Sequence, residues 1–190
     1  MDLLEILSRI DGLLEKKQQV IVTIDGNCGA GKTTLAGELA KHYGCNVIHM
    51  DDFFLRPEQR TQARFCEIGG NIDYERFYEE VCLPLQQGGA FSYRPFDCKT
   101  FTLNEPVCVM PNRLYVIEGS YSQHPRFGDY SDLRIFLTVS PDVQRQRILQ
   151  RPAHLHQRFF ETWIPMENRY LEAFHIRDKA DTVISTDKTG

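Results

Sequence analysis

The chain has 190 residues, 42% hydrophobic and 25% charged, with a net charge of −4 at neutral pH. That length and mix fit one globular unit with a sizeable core. They argue against a nucleic-acid binder, which needs a basic excess to meet backbone phosphates, and no apolar run approaches membrane-spanning length.

Leu3, Leu4, Leu7, Ile10, Leu13 and Leu14 recur at helical spacing among charged residues, so residues 1–19 are expected to hold a helix lying on the core. Val20 to Ile24 is a β-rich run that enters Gly26-Asn27-Cys28-Gly29-Ala30-Gly31-Lys32-Thr33-Thr34. The first eight of these residues fit G-x-x-x-x-G-K-T, the phosphate-binding loop. Leu35, Ala36, Leu39, Ala40 and Tyr43 then continue at helical spacing, which supplies the strand–loop–helix context the motif requires. Three glycines let the backbone curl so that successive N–H groups point inward at the positive end of the helix. Lys32 is expected to reach the outer phosphates and Thr33 to sit on Mg²⁺.

Cys45 to Met50 reads as a second strand, closed by Asp51-Asp52-Phe53-Phe54. Residues 55–72 are polar, with Pro57, Gly69 and Gly70, and are expected to be an irregular loop. Ile72 to Phe77 starts a helix that runs to about Leu85, punctuated by Pro84 and Gly88-Gly89. Phe91 to Thr102 mixes aromatic and polar residues, and Val107 to Met110 is expected to pair with it as a small hairpin. Further strands are expected at Leu114 to Ile117, Leu133 to Val139 and Thr182 to Ile184, and helices at Pro141 to about Leu149 and Phe159 to about Phe174. The stripe Trp163, Met166, Tyr170 and Phe174 on the last helix reads as core packing. Alternating, nearly continuous apolar strands and helices predict an α/β fold with a mostly parallel sheet covered on both faces. The six cysteines lack the paired spacing of a zinc site, and with no leader-like opening they are expected to be reduced thiols of a cytoplasmic protein.

In an open parallel sheet, ligands gather beyond the carboxyl ends of the strands. The phosphate loop, Asp51-Asp52, Glu118 and Ser140 all fall at that edge. Asp51 is the expected general base toward an acceptor hydroxyl, because phosphoryl transfer asks chiefly for alignment, charge neutralisation and a proton acceptor. The competing role is that Asp51 or Asp52 merely caps a turn, and a direct role for Asp52 is the lesser expectation. Glu118, closing an apolar strand, is expected to hold Mg²⁺ through water opposite Thr33. Arg145, Arg147 and Arg151, followed by Arg158, fall in one segment that Pro152 interrupts; residues 145–160 are expected to form an arginine-bearing lid that neutralises the transferring phosphoryl, although the spacing also fits a solvated helix face. Asp73, Arg94, Phe96 and Asp97 are candidates for an acceptor pocket, with a helix cap and a core ring as the competing roles of Asp73 and Phe96. His49 reads as structural.

These pieces, with Asn71-Ile72-Asp73-Tyr74-Glu75-Arg76-Phe77, Tyr93-Arg94-Pro95-Phe96-Asp97, Val116-Ile117-Glu118-Gly119-Ser120 and Ala180-Asp181-Thr182-Val183-Ile184, stand in an order that resembles the small P-loop kinases of the uridine kinase, nicotinamide riboside kinase and pantothenate kinase type. The resemblance runs from about residue 20 to 186. It implies one P-loop NTPase domain with a five-stranded parallel sheet, ATP and Mg²⁺ as cofactors, Asp51 as the acceptor-activating residue, Asp73 as a carboxylate for ribose hydroxyls, and a nucleoside or riboside as the small-molecule partner, with room for a homo-oligomer. The acceptor region departs from the uridine kinase pattern. Phe96-Asp97-Cys98 is followed by Lys99 and Thr100 rather than a histidine, and Asn71-Ile72-Asp73-Tyr74 replaces Asn-Phe-Asp-His. A nucleotide-binding regulatory ATPase, needing Lys32, Thr33 and Glu118 but no acceptor pocket, is the rival expectation.

Overall fold

The computed structural model describes residues 3–187, so the first two residues of the expected N-terminal helix lie outside the described residues. Five strands form one all-parallel sheet: β1 (Val20–Gly26), β2 (Asn46–His49), β3 (Leu114–Glu118), β4 (Leu133–Thr138) and β5 (Thr182–Ser185), in the order β2-β3-β1-β4-β5. Every residue of the central strand β1 is buried, which explains its near-continuous apolar run. Side chains alternate across it. Val20, Val22 and Ile24 enter one core cluster, packed under the helices α1 (Leu3–Leu14) and α2 (Lys32–Tyr43). Ile21 enters the other, with Phe53, Phe77, Tyr115 and Tyr170, while Thr23 and Asp25 carry polar groups onto that same face. The fold is thus the α/β arrangement of P-loop NTPases, with the glycine loop at the carboxyl end of the middle strand.

The helix α1 buries Ile6 and Ile10 and leaves Leu4 in solvent. A helical run over 74–87 covers the opposite face, and the helices α3 (Pro141–Leu149) and α4 (Ile164–Ala173) follow β4. Two π-turns, Tyr78–Cys82 and Phe159–Trp163, lie just before Pro84 and Pro165. A widened turn is one way a helical run accommodates a ring that lacks an N–H donor.

One expectation needs correction, and the expected hairpin is narrower than the stretch named for it. Residues 55–72 contain two short helical turns, Pro57–Gln59 and Gln62–Cys66, the second capped by Thr61, whose hydroxyl accepts from the Arg64 amide. Arg64, within that second turn, pins the segment, donating to the Gly70 and Ile72 carbonyls and to both carboxylate oxygens of Glu75. Val107–Val109 pairs antiparallel with Phe91–Tyr93 alone, and Phe96–Asp97 forms a separate pair with Thr102–Leu103. No described helix is long and apolar enough to cross a membrane.

Candidate active site

The sheet register assembles the site. Gly26 stands opposite Leu137, Ile24 opposite Glu118, and Glu118 opposite His49, so the ends of β1, β2, β3 and β4 meet at one edge. Gly26 is at φ +129°, and a Cβ there would lie 2.0 Å from the Leu137 carbonyl oxygen, so the tight departure from β1 admits no side chain. Gly29 and Gly31 also take positive φ, and Gly31 is the residue from which α2 starts. The loop closes on itself: Lys32 Nζ donates to the carbonyls of Gly26 (2.6 Å) and Asn27 (3.1 Å), and the Asn27 amide oxygen accepts from the Thr138 hydroxyl at 3.2 Å.

A cleft of about 870 Å³ opens at this edge, and Cys28 to Leu35, Asp51, Glu118 and Arg151 are among the residues that line it. Thr33 Oγ1 donates to Glu118 Oε1 at 3.1 Å, and His49 Nδ1 lies 2.6 Å from the same oxygen. That hydrogen bond raises the histidine's affinity for a proton. Asp51 and Asp52 lie on the 3₁₀ turn Met50–Phe53 that follows β2. Asp51 is open to the water of the cleft yet crowded by protein around it; desolvation and then the charge of Glu118 push its carboxyl above the usual range, while Lys32 pulls it down. Asp52 does not reach the cleft wall and accepts from the Tyr93 hydroxyl at 3.0 Å.

The arginines divide. Arg147 lines the cleft but is engaged, donating to the Gly29 carbonyl and to the hydroxyl and carbonyl of Thr186. Arg151 lines the cleft with its guanidinium 4.9 Å from the Phe159 ring and, among the described residues, no hydrogen bond from that group. Arg145 and Arg158 do not themselves line the cleft; they stack on Phe160 and on Trp163, at 5.2 and 5.5 Å.

The structure does not bring Asp73, Arg94 and Phe96 to the cleft. Asp73 is fully buried, caps the helix at Tyr74–Phe77 through the Arg76 amide, and meets Arg56 Nε at 3.2 Å. Arg94 is exposed and donates to the carbonyls of Asn104 and Leu103. Phe96 is buried beneath Arg60, whose guanidinium lies 5.6 Å from the ring. Phe54, Asn71, Tyr121 and Trp163 line the cleft instead, so Trp163 belongs to the cleft wall rather than to a core stripe.

Two contacts had no separate signal in the sequence. Glu167, almost fully buried on α4, accepts from the Cys28 amide at 2.6 Å and from the Ser120 hydroxyl. Tyr170, one turn later, donates to Asp25 at 2.7 Å. The spacing Glu-x-x-Tyr is the only trace of this, and it becomes informative only once α4 is known to face the loop.

No cluster of three or more His, Cys, Asp or Glu arranged for a metal occurs among the described residues. A magnesium ion, which keeps several waters and shares phosphate oxygens, does not need one; the Thr33 hydroxyl beside the Glu118 carboxylate is a suitable oxygen pair.

No family model matches the chain. It is 30% identical over 174 residues to the Schizosaccharomyces pombe protein named "Putative uridine kinase C227.14", covering 77% of this chain and 72% of that one. The protein named "Uridine kinase" of Anoxybacillus flavithermus is 22% identical over 173 residues, covering 83% and 82%. Among solved structures, that of a "Possible Uridine Kinase" from Bacillus stearothermophilus superposes with a TM-score of 0.66 at 22% identity, covering 95% and 99% of the two chains. That likeness establishes the shared fold.

Proposed function

We propose that this chain, which belongs to the uridine kinase-like family of P-loop kinases, transfers the γ-phosphoryl of ATP to a hydroxyl of a small molecule, a nucleoside or related riboside. The observation that carries the reading is that Asp51 and the glycine loop line one cleft beside the Thr33–Glu118 pair. Fold alone would not separate a kinase from an ATP-driven switch. A carboxylate facing the phosphate loop across open space is what an acceptor hydroxyl requires.

In this reading the amides of Gly29 to Thr34 and the Lys32 ammonium hold the phosphates. Lys32 exchanges its loop carbonyls for phosphate oxygens. Asp51 accepts the acceptor's hydroxyl proton as that oxygen bonds to the γ-phosphorus and the bond to the β-phosphate oxygen breaks, leaving ADP. Burial and the charge of Glu118 raise the proton affinity of Asp51 above that of a free carboxylate, which makes it a stronger base. Arg151, whose guanidinium rests on the Phe159 ring and donates no hydrogen bond among the described residues, meets the charge on the transferring group, and Arg147 braces Gly29 through its carbonyl. Arg145, although turned away here, belongs to the same segment and would join only if that segment closes. Thr33, with Glu118 acting through water, would hold Mg²⁺, which would supply positive charge to the phosphates.

Phe54, Tyr121 and Trp163 offer aromatic faces to a base, and relatives named uridine kinase favour a nucleoside. Asp73 reaches acceptor hydroxyls only if Arg56 releases it, and Arg94 and Phe96 likewise need a rearranged hairpin. That separation is the one observation favouring the rival regulatory ATPase. A phosphorylation screen over uridine, cytidine, nicotinamide riboside, pantothenate and simple sugars, with ADP and the phosphorylated product both measured, decides between them. The kinase reading expects product equal to ADP for at least one alcohol. ADP release that no acceptor stimulates, with no phosphorylated product, contradicts it.

A further inference from the structure

Glu167 is a buried carboxylate that makes no ion pair among the described residues. Such a group is costly unless its hydrogen bonds are well made. Its bonds run to two different strand ends: the Cys28 amide in the phosphate loop after β1 and the Ser120 hydroxyl after β3. A carboxylate that accepts from an amide and a hydroxyl makes charge-assisted bonds, the stronger class of hydrogen bond. One turn further on, Tyr170 ties the same helix to Asp25, the residue preceding the loop. In the other direction, the helical run leads through the π-turn Phe159–Trp163 to the arginine segment. Cys28 also feels the charges of Arg151 and Asp51, which places its end of the loop near both groups assigned to the transferring phosphoryl.

We propose that Glu167 is a positioning residue that couples the phosphate loop to the arginine segment, so that nucleotide in the loop sets the placement of the segment above it. The proposal rests on the kinase reading for its catalytic consequence, but the coupling itself does not need an acceptor. Its geometry is a bridge: pulling on Cys28 or Ser120 moves α4, and α4 continues from the turn that holds Phe159 and Trp163.

Trp163 is the sole tryptophan, lines the cleft and sits one turn before Glu167, so its emission reports the segment directly. The test uses the full chain with three variants, Glu167→Gln, Glu167→Ala and Ser120→Ala. MgATP affinity is measured by calorimetry, the MgATP-induced change in Trp163 emission by fluorescence, and transfer to whichever acceptor the screen finds by product formation. A Gln can accept from the Cys28 amide through its oxygen and donate to Ser120 through its nitrogen, so it keeps the bridge while losing the charge. Expected is a clear emission change in the wild type and in Glu167→Gln. In Glu167→Ala it is lost although MgATP still binds, and in Ser120→Ala it is reduced. Transfer in Glu167→Ala is expected to fall about 10²-fold, the scale of a misplaced reacting group, with most of it rescued in Glu167→Gln.

A full emission change in Glu167→Ala overturns the coupling, as does a Glu167→Gln variant as uncoupled as Glu167→Ala. An absent change in the wild type on MgATP binding also overturns it. If no alcohol is phosphorylated by the wild type, the kinase reading fails and the emission series still decides the coupling. Should Glu167→Ala fail to fold, the Ser120→Ala and Glu167→Gln pair carries the same contrast.

Discussion

The Tyr170 hydroxyl donates to Asp25 Oδ2 over 2.7 Å, and neither side chain touches solvent. Asp25 also accepts from the amides of Gly26 (2.7 Å) and Gln123 (3.1 Å), so one carboxylate gathers the start of the phosphate loop, the turn after β3, and α4. Tyr170→Phe leaves one of these bonds unmade at a buried acceptor. It is expected to cost about 1.5–3 kcal/mol, the range for hydrogen bonds to charged groups. Each kcal/mol lowers the melting temperature by roughly 2–4 °C in a chain of this size, which a thermal melt reads.

Asp25 also gives stability a pH dependence. Burial raises its carboxyl to about 6, with Lys32, Tyr170 and the two amides opposing the rise. Because the folded value lies above the unfolded one, the native state holds this proton more tightly. The stability from Asp25 is therefore full below about pH 4 and is lost as pH rises through about 6. Asp25→Asn has no proton to bind there. The stability of the wild type minus that of Asp25→Asn, measured by denaturant titration, is expected to fall between about pH 4 and 7; a difference that grows over that range contradicts the assignment.

Two glycines of one segment are expected to behave oppositely. Gly26→Ala drives a methyl into the Leu137 carbonyl from a strained backbone. It is expected to abolish nucleotide binding and cost more than the usual ~0.5–3 kcal/mol of a point substitution. Gly37 lies exposed within α2 with nothing within 4 Å of an added Cβ, so Gly37→Ala is expected to stabilise by about 0.5–1 kcal/mol. Denaturant melts of the two variants, with nucleotide calorimetry on the first, read both effects.

The strands, the glycine loop and the strand-end Glu118 are legible because local chemistry determines them. Apolar runs bury on both faces, and the lysine at the mouth of a glycine turn has few other uses. The acceptor candidates were less legible because polar residues have competing local partners. Asp73 caps the helix it begins, and Arg94 satisfies carbonyls of its own hairpin. Glu167 and Tyr170 were out of reach for a different reason. Their partners lie 139 and 145 residues away, and only the packing of α4 against the sheet edge brings them together.

Glu118, placed by the strand register opposite Ile24 and His49, is the proposed magnesium-side carboxylate. Glu118→Gln keeps an acceptor for the Thr33 hydroxyl but loses the charge behind it. The Mg²⁺ concentration giving half-maximal transfer is expected to rise on the order of tenfold, the lower end for groups that orient metal ligands. A magnesium titration indistinguishable from that of the wild type removes Glu118 from the metal's surroundings.

Asp51→Asn is the most direct examination of the kinase account. Rapid-quench transfer from bound MgATP to the accepted alcohol is measured beside MgATP affinity in the same variant. The account predicts transfer slowed by about 10²–10⁴-fold, the range for a lost general base, with nucleotide affinity nearly unchanged because Gly29 to Thr34 and Lys32 remain. Transfer at the wild-type rate would show that the carboxylate facing the loop takes no part in moving the phosphoryl group.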